Sequence, residues 1–227
     1  MPLHWATGHG HVGAVRALVE VAKVRKINTK DQEGWSPLHR CCQQPPPRDK
    51  PKEGEEPPPP IDMADEDGKR CQIAGMLLAA GADASLREAK SLNTPIHLCA
   101  MNGYARVLET ILSNRQQQPL DVDPVNKISK TPLIYACMED QLETVLVLLK
   151  YNADPLKKDR LHNEWNAVHF AIMQDNVAIV KAILDDAKTK AKYDNLIKVT
   201  DAVGRSFSVV AEDHFKSNVA QYLAPLI

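Results

Sequence analysis

Short apolar runs recur in pairs along the chain, separated by polar residues. The second run of each pair, as at residues 107–112 and 145–149, has the spacing of a helix with one buried face. The first run starts at Ser36, Thr94 or Thr131, each of which precedes a proline. Such a dipeptide favours a helix start, because the hydroxyl caps exposed N–H groups and proline lacks an N–H that the first turn leaves unpaired. The pattern therefore predicts an all-α chain of helix-turn-helix units.

The units repeat with a period of about 35 residues. Pro2 lies 35 residues before Pro37, and Pro132 lies 37 residues after Pro95 and 35 before Ala167. A constant period of this length is typical of a solenoid, in which each unit packs only on its neighbours. We expect a single domain of six units joined by β-turn-like fingers, at about 1–30, 31–86, 87–122, 123–157, 158–198 and 199–227.

Two columns of residues are predicted to form the shared core. A small residue stands five positions after each cap position, where it lets neighbouring helices approach closely, and an aliphatic residue closes the second helix of each unit. The first column is Ala6, Cys41, Cys99, Ala136, Ala171 and Ala211, and the second is Leu18, Leu77, Ile111, Leu148, Ile183 and Leu223.

The second unit is longer than the others by about two dozen residues. Residues 45–68 hold eight of the sixteen prolines and a group of acidic residues. A segment of this composition buries too little apolar surface to order itself. We expect a disordered insert at 45–68, with the second helix of the unit restarting at Lys69. A polyproline docking motif at 57–60 is the alternative interpretation.

These motifs resemble those of ankyrin repeat proteins. The Thr-Pro-Leu-His signature of that family is matched at residues 94–97, with isoleucine in place of leucine, and at 36–39, with serine in place of threonine. Its Leu-Leu-x-x-Gly-Ala-Asp signature is matched at 77–83. The resemblance spans nearly the whole chain. It implies an ankyrin-repeat solenoid whose concave face binds another protein. The first forty residues are also similar to gankyrin-type proteasome assembly chaperones, which would imply capture of a proteasomal ATPase subunit.

Composition and charge narrow the classes of function. The chain has 227 residues, 44% hydrophobic and 25% charged, with a net charge of −1. This balance argues against nucleic acid as the main ligand, because phosphate binding needs clustered Lys and Arg. No apolar run reaches the roughly eighteen residues that cross a bilayer, and no signal-like segment precedes the first unit. We expect a cytoplasmic or nuclear protein, monomeric, without a cofactor and without membrane insertion.

The histidines and cysteines do not favour an enzyme or a metal site. His4, His39, His97 and His169 recur in register, one per unit, where they can bond neighbouring turns. The five cysteines show no Cys-x-x-Cys spacing of the kind that zinc sites use. Thiols in a core are usually inert, because nucleophilic catalysis needs a lowered pKa and a nearby base. We therefore predict neither catalysis nor bound metal.

Binding residues are predicted on the finger ends and on the exposed side of each first helix. Trp, Tyr, Met and Arg, the types enriched at the centres of interfaces, are frequent there. For the column that contains Trp5, Tyr135 and Phe170, half-buried packing is the alternative. The predicted set is Trp5, Trp35, Arg40, Gln43, Met101, Asn102, Lys130, Tyr135, Met138, Glu139, Trp165, Phe170, Met173, Gln174 and Arg205.

Three functions remain open at this point. The first is an adaptor or scaffold that binds a partner protein through the concave face. The second is a regulatory ankyrin segment of a larger enzyme or membrane protein, and the third is a gankyrin-like chaperone. Met1 stands where the repeat has Thr, so we expect either an imperfect end cap or a chain that continues upstream.

Overall fold

A computed structural model of the protein describes residues 1–22, 26–45, 62–114, 120–189 and 196–226. These residues form six helix pairs and no β-strand, which confirms the predicted all-α solenoid. The pairs are α1 (Pro2–Gly8) with α2 (Val12–Arg16, continued by a π-helical turn, Ala17–Val21), α3 (Pro37–Cys41) with α4 (Met63–Ala79), α5 (Pro95–Asn102) with α6 (Ala105–Ser113), α7 (Pro132–Met138) with α8 (Leu142–Lys150), α9 (Ala167–Met173) with α10 (Val177–Thr189), and α11 (Phe207–Asp213) with α12 (Ser217–Leu223). Short 3-10 turns lie at Leu196–Lys198 and Ala224–Leu226.

The helices stack in two layers. The first helix of each unit packs on the first helices of its neighbours, and the second helices pack on one another in the same way. Every member of the predicted small-residue column is buried, and of the aliphatic column only Leu18 is half-buried. One core therefore runs through all six units, as expected for a solenoid.

Helix starts follow the predicted caps. The side chains of Ser36, Thr131 and Ser206 accept hydrogen bonds from backbone N–H groups three residues later. Each cap therefore satisfies a donor that the helix itself cannot pair.

The fingers between units are held by one acidic or amide side chain each. Asp31 Oδ1 accepts the backbone N–H groups of Glu33 and Trp35, both at 3.0 Å. Asn126, Asp159, Asp201 and Glu88 hold the other fingers in the same manner. Such bonds close a turn without a neighbouring strand.

The predicted disorder is wrong for residues 62–68, because α4 begins at Met63 and not at Lys69. Asp62 caps it by accepting the N–H groups of Ala64 and Asp65. Acidic residues are favourable in a first turn, and Asp65 pairs with Lys69 at 2.6 Å. Residues 46–61, including the candidate polyproline motif, lie outside the described residues.

The extra turns of α4 connect three units. Arg70 is fully buried, pairs with Glu66 at 2.6 Å and donates to the carbonyls of Gly8 at 3.1 Å and Cys41 at 2.8 Å. These carbonyls end α1 and α3, where a cation is favoured. On the other side, Asp67 accepts the N–H groups of Arg106 and Val107 at the start of α6.

Candidate protein-binding face

A row of methionines crosses units 3 to 5. Met101, Met138 and Met173 occupy the same position of α5, α7 and α9, and each is half-buried against the core. Methionine is flexible and polarizable, so such a row adapts to apolar side chains of a partner. The row is therefore the part of the predicted binding set that the fold aligns best.

The polar residues that follow the methionines are used unequally. Asn102 donates to the carbonyl of Cys42 at 2.9 Å, and Gln174 donates to the carbonyl of Met138. Both amides therefore link neighbouring units. Glu139 is exposed at the same position of unit 4, so its carboxylate is accessible to a partner.

A groove of about 330 Å³ lies between the first two units, and Trp5, His9, Asp31, Arg40 and Gln43 contribute to its walls. Trp5 is 58% exposed, and its ring stacks on His9 with a centroid distance of 4.4 Å. Arg40 lies 4.8 Å above the centroid of the half-buried Trp35. The predicted residues of units 1 and 2 thus share one surface.

Charges in this groove are already paired. Arg40 bonds Asp31 at 2.7 Å and Glu33 at 3.1 Å, and it donates to Gln43 Oε1 at 2.9 Å. Burial alone would raise the pKa of Asp31, but the Trp35 N–H and the Arg40 guanidinium lower it below its usual range. The groove therefore offers an aromatic surface and the Arg40 guanidinium, which Asp31 and Glu33 fix in place and balance in charge.

Four of the predicted binding residues are part of the fold instead. Lys130 is only 3% exposed, and its Nζ lies 2.6 Å from Asp159 Oδ2 and 4.3 Å from the centroid of Phe170. Tyr135 and Phe170 are buried, and the Tyr135 hydroxyl accepts a hydrogen bond from Asn126. For Tyr135 and Phe170, packing is the interpretation that the structure supports.

Trp165 also differs from the prediction, because we expected it to contact a partner and the structure buries it. It is 8% exposed and stacks parallel to His169 with a centroid distance of 5.8 Å. Its edge contacts come from Phe170 and, in the last unit, from His214. The finger of unit 5 places it against the neighbouring unit, which a repeat pattern does not reveal.

Arg205 is half-buried at the last finger. It pairs with Asp201 at 2.8 Å and with Asp213 at 3.1 Å. Burial alone would raise the pKa of Asp201, but the Arg205 N–H and guanidinium lower it below its usual range. The residue stabilises its own unit and leaves one face accessible.

The titratable groups of the core are not suited to catalysis. Burial lowers the pKa of His39 and His97 to about 4, so both are neutral near pH 7. Burial also raises the pKa of the Cys41, Cys42 and Cys99 thiols. A neutral, buried thiol is a poor nucleophile. In the described ranges, three or more potential metal ligands do not cluster anywhere.

Sequence reasoning missed the exposed tips of the fingers. Ile128, Leu161 and Val203 each stand two residues after the side chain that closes the finger, and all three are exposed. Alignment of the fingers on Asn126, Asp159 and Asp201 would have revealed this column. The described helices include none long and apolar enough to cross a bilayer.

The repeat geometry agrees with the comparison with known families. Residues 62–159 match the model of ankyrin repeats, in three copies, and helix pairs of the same kind continue on both sides. The chain is an ankyrin repeat protein. Ankyrin repeats generally mediate protein–protein interaction, and domains built from them are typically non-catalytic.

Several longer proteins are similar to this chain. Ankyrin repeat protein nuc-2 of Neurospora crassa is 28% identical over 203 residues, which are 84% of this chain and 18% of that protein. A probable E3 ubiquitin-protein ligase of rice, XBOS32, is 26% identical over 51% of this chain and 26% of its own length. The human transient receptor potential cation channel subfamily A member 1 is 21% identical over 80% of this chain and 14% of its own length. The chain thus spans about a quarter or less of each relative.

Proposed function

We propose that the chain is a non-catalytic adaptor that holds a partner protein on the concave face formed by its fingers and first helices. The observation that carries the proposal is the methionine row, Met101, Met138 and Met173. Three flexible apolar side chains at one register position, half-exposed across consecutive units, favour protein contact over small-molecule binding. The Trp5 groove extends the face toward unit 1.

Site-specific cross-linking tests this proposal. A photo-reactive residue such as p-benzoylphenylalanine replaces Glu139, which is exposed beside the methionine row. The same residue replaces Leu146, which is exposed on α8 in the other helix layer. We expect cross-links to one protein from position 139 and not from position 146.

A triple variant adds an energetic test. Met101→Gln, Met138→Gln and Met173→Gln together keep the length of the side chains and remove their apolar ends. We expect the cross-link from position 139 to disappear while the helical circular dichroism is unchanged, with Leu146→Gln as the matched control. Equal cross-linking from both positions, or an unaffected triple variant, would refute the concave-face adaptor.

A regulatory segment of a larger protein is the second candidate, because similar segments occur in relatives much longer than this chain. It predicts that the protein captured from position 139 lies in the same polypeptide. A gankyrin-like chaperone is the third, and it predicts that the captured protein is a proteasomal ATPase subunit. Peptide identification of the cross-linked product separates these outcomes.

A further inference from the structure

The finger tips of units 4 to 6 present a second apolar row. Leu161 is 63% exposed and Val203 is 65% exposed, and Ile128 occupies the same position in unit 4. Leu92 is exposed on the finger of unit 3. One such side chain is ordinary, but a row at one register position is a surface that a partner can cover.

The acidic residues that close these fingers point inward, whereas Glu164 is exposed on the finger of unit 5 and pairs with Lys158 at 3.0 Å. Asp159 and Glu88 are buried and hold backbone N–H groups, as with the 2.6 Å bond from Ser91 N to Glu88 Oε1. Burial alone would raise the pKa of Asp159, but hydrogen bonds from Lys130 and the Leu161 N–H lower it. The Asp159 carboxylate therefore stays ionised, and both side chains remain inside the turns.

The cationic residues of the same fingers point outward. Lys90, Lys127 and Arg160 are exposed, one each on the fingers of units 3, 4 and 5. Within the described part of the chain, none of the three pairs with a carboxylate. The tips therefore combine apolar side chains with unpaired positive charge, although the chain as a whole has a net charge of −1.

Backbone hydrogen bonds join the tip of unit 3 to that of unit 4 and the tip of unit 5 to that of unit 6. Lys127 N donates to the Ser91 carbonyl at 2.8 Å, and Ala202 N donates to the Asn163 carbonyl at 2.8 Å. Neighbouring helices pack about 8–10 Å apart, and the fingers that they carry repeat at a similar spacing. A chain in the extended polyproline II conformation covers that spacing in about three residues, at roughly 3.1 Å per residue, and its turn of about three residues returns every third side chain to the same face.

We infer that the finger tips of units 3 to 6 bind an extended acidic segment of the partner, with an apolar side chain at every third position. The apolar side chains contact Leu92, Ile128, Leu161 and Val203, and the intervening carboxylates face Lys90, Lys127 and Arg160. This inference rests on the proposed function, because it describes the chemistry of the partner. A protein is favoured over nucleic acid because the tips alternate cations with aliphatic groups and, within the described fingers, expose no Phe, Tyr or Trp ring for base stacking.

The direct test uses a fluorescein-labelled peptide of four Leu-Glu-Asp repeats and measures binding by fluorescence anisotropy at low salt. A peptide with its leucines in one block and its acids in another is the composition control. We expect the alternating peptide to bind at least about tenfold more tightly, because only its spacing matches the tips. We expect its affinity to fall as salt is added, since the cations are exposed.

Two double variants separate position from net charge. Lys127→Glu/Arg160→Glu reverses the tip charges, and Arg16→Glu/Lys181→Glu makes the same change in net charge on the second helices, where both cations are exposed. The tip variant should weaken peptide binding by about tenfold or more, and the control variant by less than about threefold. Ile128→Ser/Leu161→Ser should weaken binding by about tenfold, since it removes apolar contact without changing charge.

Three outcomes would overturn the inference. They are equal binding of the two peptides, equal loss in the two charge variants, and tighter binding of a single-stranded oligonucleotide than of the alternating peptide. Cross-linking from position 139 reports on the helix face and not on the tips. If that cross-link persists while the peptide fails to bind, the adaptor proposal stands and the acidic-segment inference is wrong.

Discussion

Units 2 and 3 use their buried histidines differently from unit 5. His39 and His97 each place Nε2 3.1 Å from a carbonyl of the next finger, belonging to Asn93 and Lys130. His169 occupies the same register position, but its Nε2 has no hydrogen-bonding partner among the described residues. The junction between units 2 and 3 and the junction between units 3 and 4 are bonded through histidine, and the junction between units 5 and 6 is not.

The residue that caps the helix explains this difference. In units 2 and 3 the hydroxyls of Ser36 and Thr94 lie 2.8 Å and 2.9 Å from the histidine Nδ1. A hydroxyl can donate to Nδ1 while accepting a backbone N–H, which leaves the proton on Nε2 for the next finger. The same histidine therefore both caps its own unit and bonds its neighbour.

Unit 5 has an amide at this position. Asn166 Oδ1 lies 2.8 Å from His169 Nδ1 and also accepts the Val168 N–H. A carbonyl oxygen cannot donate, and the Asn166 backbone N–H lies farther from Nδ1, at 3.2 Å, so we assign the proton of the ring to Nδ1 on the shorter contact, which leaves Nε2 as an acceptor. An unprotonated Nε2 cannot bond a carbonyl of the next finger. Phe207 packs against the His169 ring instead, at a centroid distance of 4.8 Å. The junction between units 5 and 6 therefore relies on packing where the junctions after units 2 and 3 use a buried hydrogen bond.

Lowering the pH tests the three buried histidines together and has the largest expected effect on the free energy of unfolding. The pKa of His39, His97 and His169 is lowered to about 4, from 6.5. As the pH falls, the unfolded chain takes up these protons near pH 6.5, whereas the folded chain takes them up only near pH 4. The stabilising contribution is therefore fully present above pH 6.5 and is lost as the pH falls through 4. We expect each histidine to remove up to about 3 kcal/mol from the free energy of unfolding between pH 7 and 4.

Urea unfolding at a series of pH values measures this loss. The variant His39→Gln/His97→Gln should show a shallower dependence on pH, since two of the three groups are absent. An unchanged slope would mean that other groups titrate in this window and that the histidines do not control acid stability.

The junction between units 4 and 5 is held by a buried ion pair. Lys130→Met should lower the free energy of unfolding by about 3–5 kcal/mol, because it leaves Asp159 buried without its cation. Lys150→Met is the matched control. It breaks the exposed pair with Glu109, which solvent screens, so the loss of stability should be much smaller than for Lys130→Met. Similar losses in the two variants would show that the Lys130 pair is not buried in solution.

Removal of the histidine ring compares the two kinds of junction. His97→Ala breaks an inter-unit hydrogen bond, and His169→Ala removes a ring that makes none. We expect His97→Ala to cost about 1–3 kcal/mol more, because it also leaves the Lys130 carbonyl without this donor. Chemical denaturation at pH 7 measures the difference, and a larger loss for His169→Ala would reverse the comparison.

Restoring the hydroxyl cap should have the smallest effect. Asn166→Thr permits the proton of His169 to move to Nε2, where the finger of unit 6 can accept it. We expect a gain of about 1 kcal/mol in the free energy of unfolding, with slower hydrogen exchange in α11. Ser36→Asn is the reverse experiment and should loosen unit 2 from unit 3. No change in either variant would show that the cap does not control the tautomer.

Much of this fold could be predicted because its signals are local. The hydroxyl caps, the small-residue column and the repeat period involve residues close together in the chain, and the structure has all three. The start of α4 was missed because the composition of the insert outweighed the local cap at Asp62, and because further partners of its first turns come from other units. Asp67 bonds the start of α6, and Arg70 bonds the ends of α1 and α3. The composition near an insert carries no information about such contacts.

The candidate site was predicted less well for the same reason. Lys130 and Trp165 are types that interfaces favour, yet both are buried by a neighbouring unit. The apolar side chains of Ile128, Leu161 and Val203 project from finger tips, and the sequence pattern did not predict this. Exposure at these positions depends on how each finger meets the next one.

Periodicity and capping chemistry thus predict from the chain alone an all-α solenoid of helix pairs, and the signature motifs add the resemblance to ankyrin repeats, since all of these signals depend on a helix and its adjacent turn. Tertiary structure decides which residues of each finger are buried, which histidines bond the next unit and which cations remain unpaired. Those properties depend on side chains that lie about one repeat apart, and an interaction between two units is specified by neither unit separately.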